Sequence, residues 1–208
     1  MSDHKQHRRT RILAAAADLF AQLGFDGTSM GAVAELAGVK KSLIQYHFAS
    51  KEILWQAAVH HIWSKRNNAL PQYLDQLMLA EFSELDQRQT VSELCKKLLK
   101  FTFDHPQWVN IMMQQAAIPG PRLDWMIETF FKEDFAKGKA MIELAQSRHQ
   151  LPQVDAMDLL HILSGALIYL VNVAPITERV MGVSPSSERY INRHIGTLMA
   201  ILNGTGND

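Results

Sequence analysis

Residues 12–48, ILAAAADLFAQLGFDGTSMGAVAELAGVKKSLIQYHF, decide the fold of the N-terminal part of this chain. Apolar residues recur three and four positions apart at its start, which is the spacing of one face of an amphipathic helix. Gly24 ends this pattern, and Phe25 beyond it can close the hydrophobic contact of a glycine C-terminal cap. The predicted buried face consists of Ile12, Ala15, Ala16, Leu19, Phe20 and Leu23.

Two shorter helices are predicted directly after this first one. Thr28 or Ser29 can cap a second helix, which Gly38 ends after about two turns. Ile44 and Phe48, four residues apart, can bury one side of a third. Two short helices joined by a tight glycine turn and supported by a longer helix form a helix-turn-helix. The buried face of the second helix would be Met30, Val33, Ala34 and Ala37.

The rest of the chain also has helical periodicity. Ser50 can cap a fourth helix that runs to about Asn68, with Ile53, Leu54, Ala57, Ala58, His61 and Ile62 on one side. Later helices are predicted from Thr90, over Gln107–Ala117, Arg122–Gln150, Asp155–Val173 and Pro185–Leu202. No stretch alternates apolar and polar residues as a half-buried strand does. The prediction is an all-α chain with a helix-turn-helix domain over residues 1–51 and a helical domain over 52–208.

Composition and charge narrow the class of protein. The chain has 208 residues, 47% of them hydrophobic, and one cysteine, Cys95, so a disulfide framework is excluded and no zinc ligand set is expected. The polar N-terminus does not resemble a secretory signal, and we expect a cytoplasmic protein. The net charge is zero, but residues 1–66 carry nine Lys and Arg against five Asp and Glu. This asymmetry favours a polyanion partner for the N-terminal part.

The most apolar stretch, residues 159–176, is almost long enough for a membrane span. It is interrupted by His161, Ser164, Asn172 and Pro175. Such residues are costly inside a bilayer, so a buried or interfacial helix is expected and a membrane partner is not.

Several short motifs together resemble the DNA-binding domain of TetR-family transcriptional regulators. They are Gly24-Phe25, Thr28-Ser29-Met30, Ala37-Gly38-Val39, Tyr46-His47-Phe48 and Ser50-Lys51-Glu52. The resemblance covers about the first quarter of the chain. It implies a homodimer whose N-terminal domains bind double-stranded operator DNA. It also implies a C-terminal domain that pairs the subunits and binds a small effector.

The third helix supplies the candidate DNA contacts. If Ile44 and Phe48 face inward, the opposite side presents Ser42, Leu43, Gln45 and Tyr46, with Lys40 and Lys41 in the first turn. The resemblance assigns base contacts to Lys41, Ser42 and Leu43, and backbone contacts to Thr28, Gln45, Tyr46, His47 and Lys51. This chain departs from the family pattern at Lys40, Ser42 and Gln45, where Ser or Thr, Gly and Tyr are common, which leaves the operator sequence open.

Each of these assignments has a plain alternative. Tyr46 and His47 could simply pack the third helix against the fourth. The lysines could form an ordinary solvated face, and the cluster of Arg8, Arg9 and Arg11 is either a solubilising tail or an arm that reaches DNA.

The C-terminal part suggests two further surfaces. A dimer interface is predicted from the apolar stripes of the last two helices, namely Leu160, Leu167, Val171, Ile191, Ile195, Leu198 and Leu202. Large apolar side chains with a few polar neighbours predict a site for a neutral or weakly polar lipophilic effector, although the same residues could fill an ordinary core. The candidates are Phe101, Trp108, Met112, Gln115, Trp125, Met126, Phe130, His161 and Ser164.

Enzymatic function is not indicated. The sequence has no nucleophile elbow, phosphate-binding loop, dinucleotide fingerprint or zinc protease motif, and we expect no cofactor, metal or catalytic residue. Cys95 lies in an amphipathic pattern typical of a small buried residue. A regulator or interaction module that needs no effector stays open as the alternative.

Overall fold

The computed structural model describes residues 2–69 and 84–204, which are helical and contain no β-strand. The all-α prediction is confirmed. The helices are α1 (Ser2–Gly27), α2 (Met30–Leu36), α3 (Lys41–His47), α4 (Lys51–Ala69), α5 (Glu84–Asp104), α6 (Gln107–Ala117), α7 (Pro121–Met126), α8 (Lys132–Ser147), α9 (Ala156–Met181) and α10 (Glu188–Gly204), with a π-helical turn at Ile127–Phe131. The chain forms two compact units, Met1–Ala69 with Pro106–Pro119, and Leu70–His105 with Gly120–Asp208.

The first unit is built on α1. Ile12, Ala16 and Phe20 are buried along its predicted face. Gly24 breaks the helix with φ 72° and ψ 177°, a conformation that glycine adopts without steric cost. The Phe25 ring then stacks on the Phe20 ring at a centroid distance of 6.0 Å. The predicted glycine break and its hydrophobic contact are therefore confirmed.

The helix-turn-helix follows as predicted. Ser29 caps α2 by accepting a hydrogen bond from the Ala32 N–H at 3.0 Å. Gly38 ends the α2 region with φ 63°, in the left-handed region. Ile44 and Phe48 are both buried, so the third helix presents its opposite side outward.

The buried face of α4 agrees with the prediction at Leu54, Ala58 and Ile62 and differs from it elsewhere. Ser50 caps the helix as expected, since its Oγ accepts from the Ile53 N–H at 3.2 Å. Trp55 and Trp63 are buried, however, whereas the Ile53 side chain is largely exposed. Within the unit α4 packs against both α1 and α6, so the buried sector is rotated towards the tryptophans.

Helix α6 completes the first unit from a distant part of the sequence. Gln107 Nε2 donates to Asp18 Oδ1 at 2.7 Å, and Gln114 Nε2 donates to the Ala21 carbonyl at 2.8 Å. The buried Trp108 ring meets Trp63 edge-to-face at 6.4 Å. The compact unit thus extends beyond residue 51, and the functional division placed there stays a prediction.

The second unit has its own apolar core. Buried residues of α5, α9 and α10 form most of it, including Leu99, Leu159 and Ile195. Cys95 belongs to this core, and burial raises the pKa of its thiol to about 11. The prediction of a small buried cysteine is confirmed. A thiol with this pKa is protonated at neutral pH.

Several helix boundaries of this unit differ from expectation. Helix α5 is already formed at Glu84, so Thr90 lies inside the helix and does not begin it. Helix α9 continues past Pro175 to Met181. Pro175 is exposed, and it supplies no backbone N–H donor to the helix. The predicted helix over residues 122–150 is present, interrupted by the π-helical turn.

By length and composition α9 could cross a membrane. In this structure Leu159, Leu163 and Leu167 of α9 are buried in the core of the second unit. One face of the helix therefore packs against the rest of the second unit, as predicted for a buried or interfacial helix.

The residues of the predicted dimer stripe lie mostly inside the single chain, and their part in a subunit interface stays a prediction. Leu167, Val171, Ile191, Ile195, Leu198 and Leu202 are buried within the single chain. Leu160 is half-buried and packs against α8, where a Cβ on Gly138 would lie 2.9 Å from Leu160 Cδ2. Within the chain, α9 packs against α5 and α8, and α10 packs against α5.

Replacing Ile195, which is 0% exposed, tests this assignment. Ile195→Ala should lower the free energy of unfolding by about 2–5 kcal/mol, because a cavity remains in the core. Ile118→Ala, at an 80% exposed position, should change it by less than about 0.5 kcal/mol. Urea unfolding at one fixed protein concentration measures both. Equal small effects would show that Ile195 is not a core residue.

Candidate nucleic-acid interface

A basic concavity lies on the outer side of the helix-turn-helix. Its volume is about 570 Å³, and its walls come from the start of α1, the α2–α3 turn and α3. We call this concavity the basic groove; it is lined by Arg8, Arg11, Gly38, Val39, Lys40, Ser42, Leu43 and Tyr46. None of these eight residues is acidic, so the groove favours a polyanion.

The exposed side of α3 agrees with the predicted face. Ser42, Leu43 and Tyr46 line the basic groove, and the Tyr46 side chain is 76% exposed. Lys41 and Gln45 are exposed as well, although they are not among the lining residues. The residues predicted to meet base edges are therefore presented on one helix whose other side is buried.

Lys40 occupies the N-cap position of α3 without a side-chain hydrogen bond to the helix. A Ser or Thr there would satisfy one of the free N–H groups of the first turn, which typically stabilises a helix by about 1 kcal/mol. Lys40 instead lines the basic groove. The departure from the family pattern adds positive charge where a capping bond is lost.

Thr28 has a structural role. The residue is 1% exposed, and its hydroxyl donates to the Gly24 carbonyl at 2.8 Å. The hydroxyl is thus engaged within the protein, and a backbone contact by Thr28 stays a prediction. The neighbouring Ser29 supplies the helix cap.

His47 and Lys51 are partly engaged within the protein. The half-buried His47 ring lies between Tyr46 and Phe48, with centroid distances of 5.2 and 6.2 Å. Lys51 Nζ donates to the Asp26 carbonyl at 3.3 Å and lies 4.5 Å from the centroid of the Phe25 ring. Both contacts are at the surface, and a phosphate contact by either residue stays a prediction.

Arg11 is a positioning residue of the helix-turn-helix that the sequence alone did not single out from its neighbours. Its Nη2 donates to the Ala37 carbonyl at 2.6 Å, immediately before the turn glycine. The same atom lies 2.9 Å from the position that a Cβ on Gly38 would occupy. Arg11 therefore fixes the α2–α3 turn to α1. The available signal was the spacing of Arg8 and Arg11, which places them on one helix face.

The predicted effector residues are divided between the two units. Trp108, Met112 and Gln115 belong to the first unit, where Trp108 is a core residue packed on Trp63. The second unit contains Phe101, Trp125, Met126, Phe130, His161 and Ser164. His161 is exposed and lies 5.7 Å from the ring centroid of Phe135. The expectation that Trp108 and His161 bind an effector stays a prediction.

Within the second unit, three of these residues lie in the π-helical turn or directly before it. Met126 precedes it and is fully buried, while Trp125 and Phe130 are half-buried with their rings edge-to-face at 5.5 Å. Such turns occur often at functional sites. Among the residues that the structure describes, no group of three potential metal ligands is present.

A helix-turn-helix whose outward helix lines a basic, acid-free groove defines a DNA-binding protein. Residues 12–58 match the family model of bacterial regulatory proteins of the tetR family. This match and the relatives described below support a TetR-family transcriptional regulator. The homologous regulators of this family are not enzymes.

Individual relatives agree with this assignment. The transcriptional regulator RutR of Escherichia coli K12 is 26% identical over 195 residues, covering 94% of this chain and 88% of RutR. The repressor NicS of Pseudomonas putida is 33% identical over 110 residues, covering 52% of this chain and 49% of NicS. The solved structure of AibR with isovaleryl coenzyme A and operator DNA has a TM-score of 0.70 at 15% identity, covering 94% of this chain and 97% of AibR. At that identity the structural likeness concerns the fold alone.

Gly38→Ala tests the geometry of the turn. The variant should be destabilised by more than about 1 kcal/mol, because alanine disfavours φ 63° and its Cβ would press on Arg11. Gly31→Ala is the matched control, since Gly31 lies in α2 with only an ordinary contact to Ser29. The control should be neutral or slightly stabilised. Thermal unfolding of both variants gives the measurement. An unchanged stability of Gly38→Ala would contradict the conclusion that this turn requires glycine.

Proposed function

We propose that this protein is a repressor that binds a palindromic operator as a homodimer and releases it when a small lipophilic effector binds. The basic groove on the exposed side of α3 is the observation that carries the DNA-binding part of the proposal. A role on bacterial DNA also favours the cytoplasm as its location.

In this proposal α3 enters the major groove of the operator. Lys41 and Ser42 offer hydrogen bonds to base edges, and Leu43 contacts a thymine methyl group. Contacts to the sugar-phosphate backbone fix the orientation and come from Lys40, Gln45, Tyr46, His47 and Lys51. A two-fold dimer places its two α3 helices in successive major grooves, about 34 Å apart.

Selection of bound fragments from the source genome by the purified protein tests the proposal. A recovered set that shares an inverted repeat supports it. Recovery of fragments with no common sequence, at moderate salt and with competitor DNA, would contradict sequence-specific binding.

Leu43→Ser should change the preference among operator variants. The serine hydroxyl removes the apolar contact with the thymine methyl group. Replacing the contacted thymine should therefore weaken binding by the wild type about tenfold but hardly change binding by Leu43→Ser. Leu36→Ser serves as the matched control, because Leu36 is exposed on α2 and does not line the basic groove. Competition binding with single-base operator variants gives the measurement. If wild type and Leu43→Ser rank the operator variants identically, the proposed base contact by Leu43 is contradicted.

Dimerisation is assigned to the outward faces of α9 and α10, in place of the buried stripes named above. On α9 the exposed residues Ile162, Tyr169, Ile176 and Val180 follow helical spacing. Gly165 lies among them, and nothing surrounds its Cβ position within 4 Å. On α10 Ile201 is exposed, and Gly196 is open in the same way. Exposed apolar faces of this kind favour a helical subunit interface.

Tyr169→Asp should weaken the dimer. The Tyr169 side chain is 69% exposed in the single chain, and a carboxylate at the centre of an apolar interface would be desolvated without a partner. Val154→Asp, exposed in the segment before α9, should leave association unchanged. Analytical ultracentrifugation over a range of concentrations compares them. A dimer of unaltered dissociation constant in Tyr169→Asp would contradict this interface.

The effector part of the proposal relies on the π-helical turn of the second unit. Trp125, Met126 and Phe130 provide large adaptable apolar side chains there, with Phe101 and Ser164 elsewhere in the same unit. The likeness to AibR, which was solved with isovaleryl coenzyme A, supports a ligand-responsive role. A lipophilic compound should both raise the melting temperature and release operator DNA. A broad screen that finds no such compound would favour the constitutive regulator instead.

A further inference from the structure

Three arginines at the start of α1 have three different surroundings. The Arg9 guanidinium lies 5.9 Å from the centroid of the Phe48 ring. It is also close enough to His61 to contribute, after burial and Lys65, to the lowered pKa of that imidazole. Arg11 is hydrogen-bonded to the Ala37 carbonyl. Arg8 lines the basic groove together with residues of α3. The cluster therefore does not act as one uniform positive patch.

We propose that Arg8 is a further DNA contact, which binds a backbone phosphate beside the half-site occupied by α3. This inference rests on the proposed function and extends the DNA-binding surface beyond α3 and the start of α4. Helix α1, which supports the helix-turn-helix from behind, then also forms one wall of the surface that receives DNA.

The helical state of this segment is the first support. Helix α1 already begins at Ser2, so Arg8 projects from an ordered helix. A solubilising tail or a flexible arm would have to be ordered when DNA binds, at an entropic cost. Arg8 needs only its side chain to be fixed.

The second support is the position of Arg8 relative to α3. Arg11, one helical turn further along, ties α1 to the turn that precedes α3 through its bond to the Ala37 carbonyl. Arg8 and Lys40 consequently lie on walls of the same basic groove, at a distance from α3 that the Arg11 contact maintains.

The third support is chemical. A guanidinium presents planar donors that match two oxygens of a phosphate, and it stays charged at any physiological pH. Because Arg8 lies on α1 and not on the helix assigned to base edges, its contact should be equally strong on every sequence.

Arg8→Gln and Arg9→Gln form a matched pair, since each removes one positive charge from adjacent positions of the same helix. Fluorescence anisotropy with a selected operator fragment, over a salt series, measures their affinities. Arg8→Gln should weaken binding about tenfold at near-physiological salt and reduce the slope of log K against log salt by about 0.9. Arg9→Gln should retain the wild-type slope, and Arg8→Lys should retain most of it. Thermal unfolding of each variant monitors the fold.

The outcomes separate this inference from the proposed function. Equal slopes for Arg8→Gln, Arg9→Gln and wild type would overturn the Arg8 contact while leaving operator binding intact. A loss of affinity in Arg8→Gln that depends on whether A·T or G·C pairs lie beside the half-site would also overturn the Arg8 phosphate contact. Such a dependence would show that Arg8 reads bases in the minor groove instead. Failure of the wild-type protein to bind any selected fragment would overturn the proposed function itself.

Discussion

The hydrogen bond from Arg11 to the Ala37 carbonyl is the contact on which the DNA-binding surface depends. It joins the first helix to the last carbonyl before Gly38, the residue whose positive φ redirects the chain into α3. Without it, α1 would support α2 and α3 only through the apolar core formed by residues such as Ile12 and Ile44. Apolar packing is non-directional, whereas the guanidinium specifies a position for the turn. The direction of α3 and the shape of the basic groove follow from that position.

The N-terminal unit was predictable because its sequence combines strong local signals. Gly24 and Gly38 end helices in conformations that favour glycine, and Ser29 and Ser50 supply caps within three residues of the groups they bind. These interactions span a few residues and leave a visible pattern. The Arg11 bond spans 26 positions and leaves none. The burial of Thr28 was missed for a related reason, since a threonine at that place can cap a helix or bind a carbonyl.

The choice of helix face was harder to predict in the second half of the chain. Helix α9 is apolar on more than one side, so its periodicity shows two stripes and does not say which one faces inward. The structure buries Leu163 and Leu167 and leaves Ile162 and Tyr169 exposed. The same ambiguity affected α4, where the sequence favoured Ile53 and the structure buries Trp63. Long-range packing partners decide these cases, and they are not visible in a local window.

Hydrogen–deuterium exchange of the full chain, with and without a selected operator fragment, tests the central claim most directly. If the basic groove receives DNA, the fragment should slow amide exchange in residues 38–47 and at the start of α1 around Arg8. Protection should be small on the surface of the second unit, for example around Val154. Protection centred on the second unit, with residues 38–47 unchanged, would contradict the account.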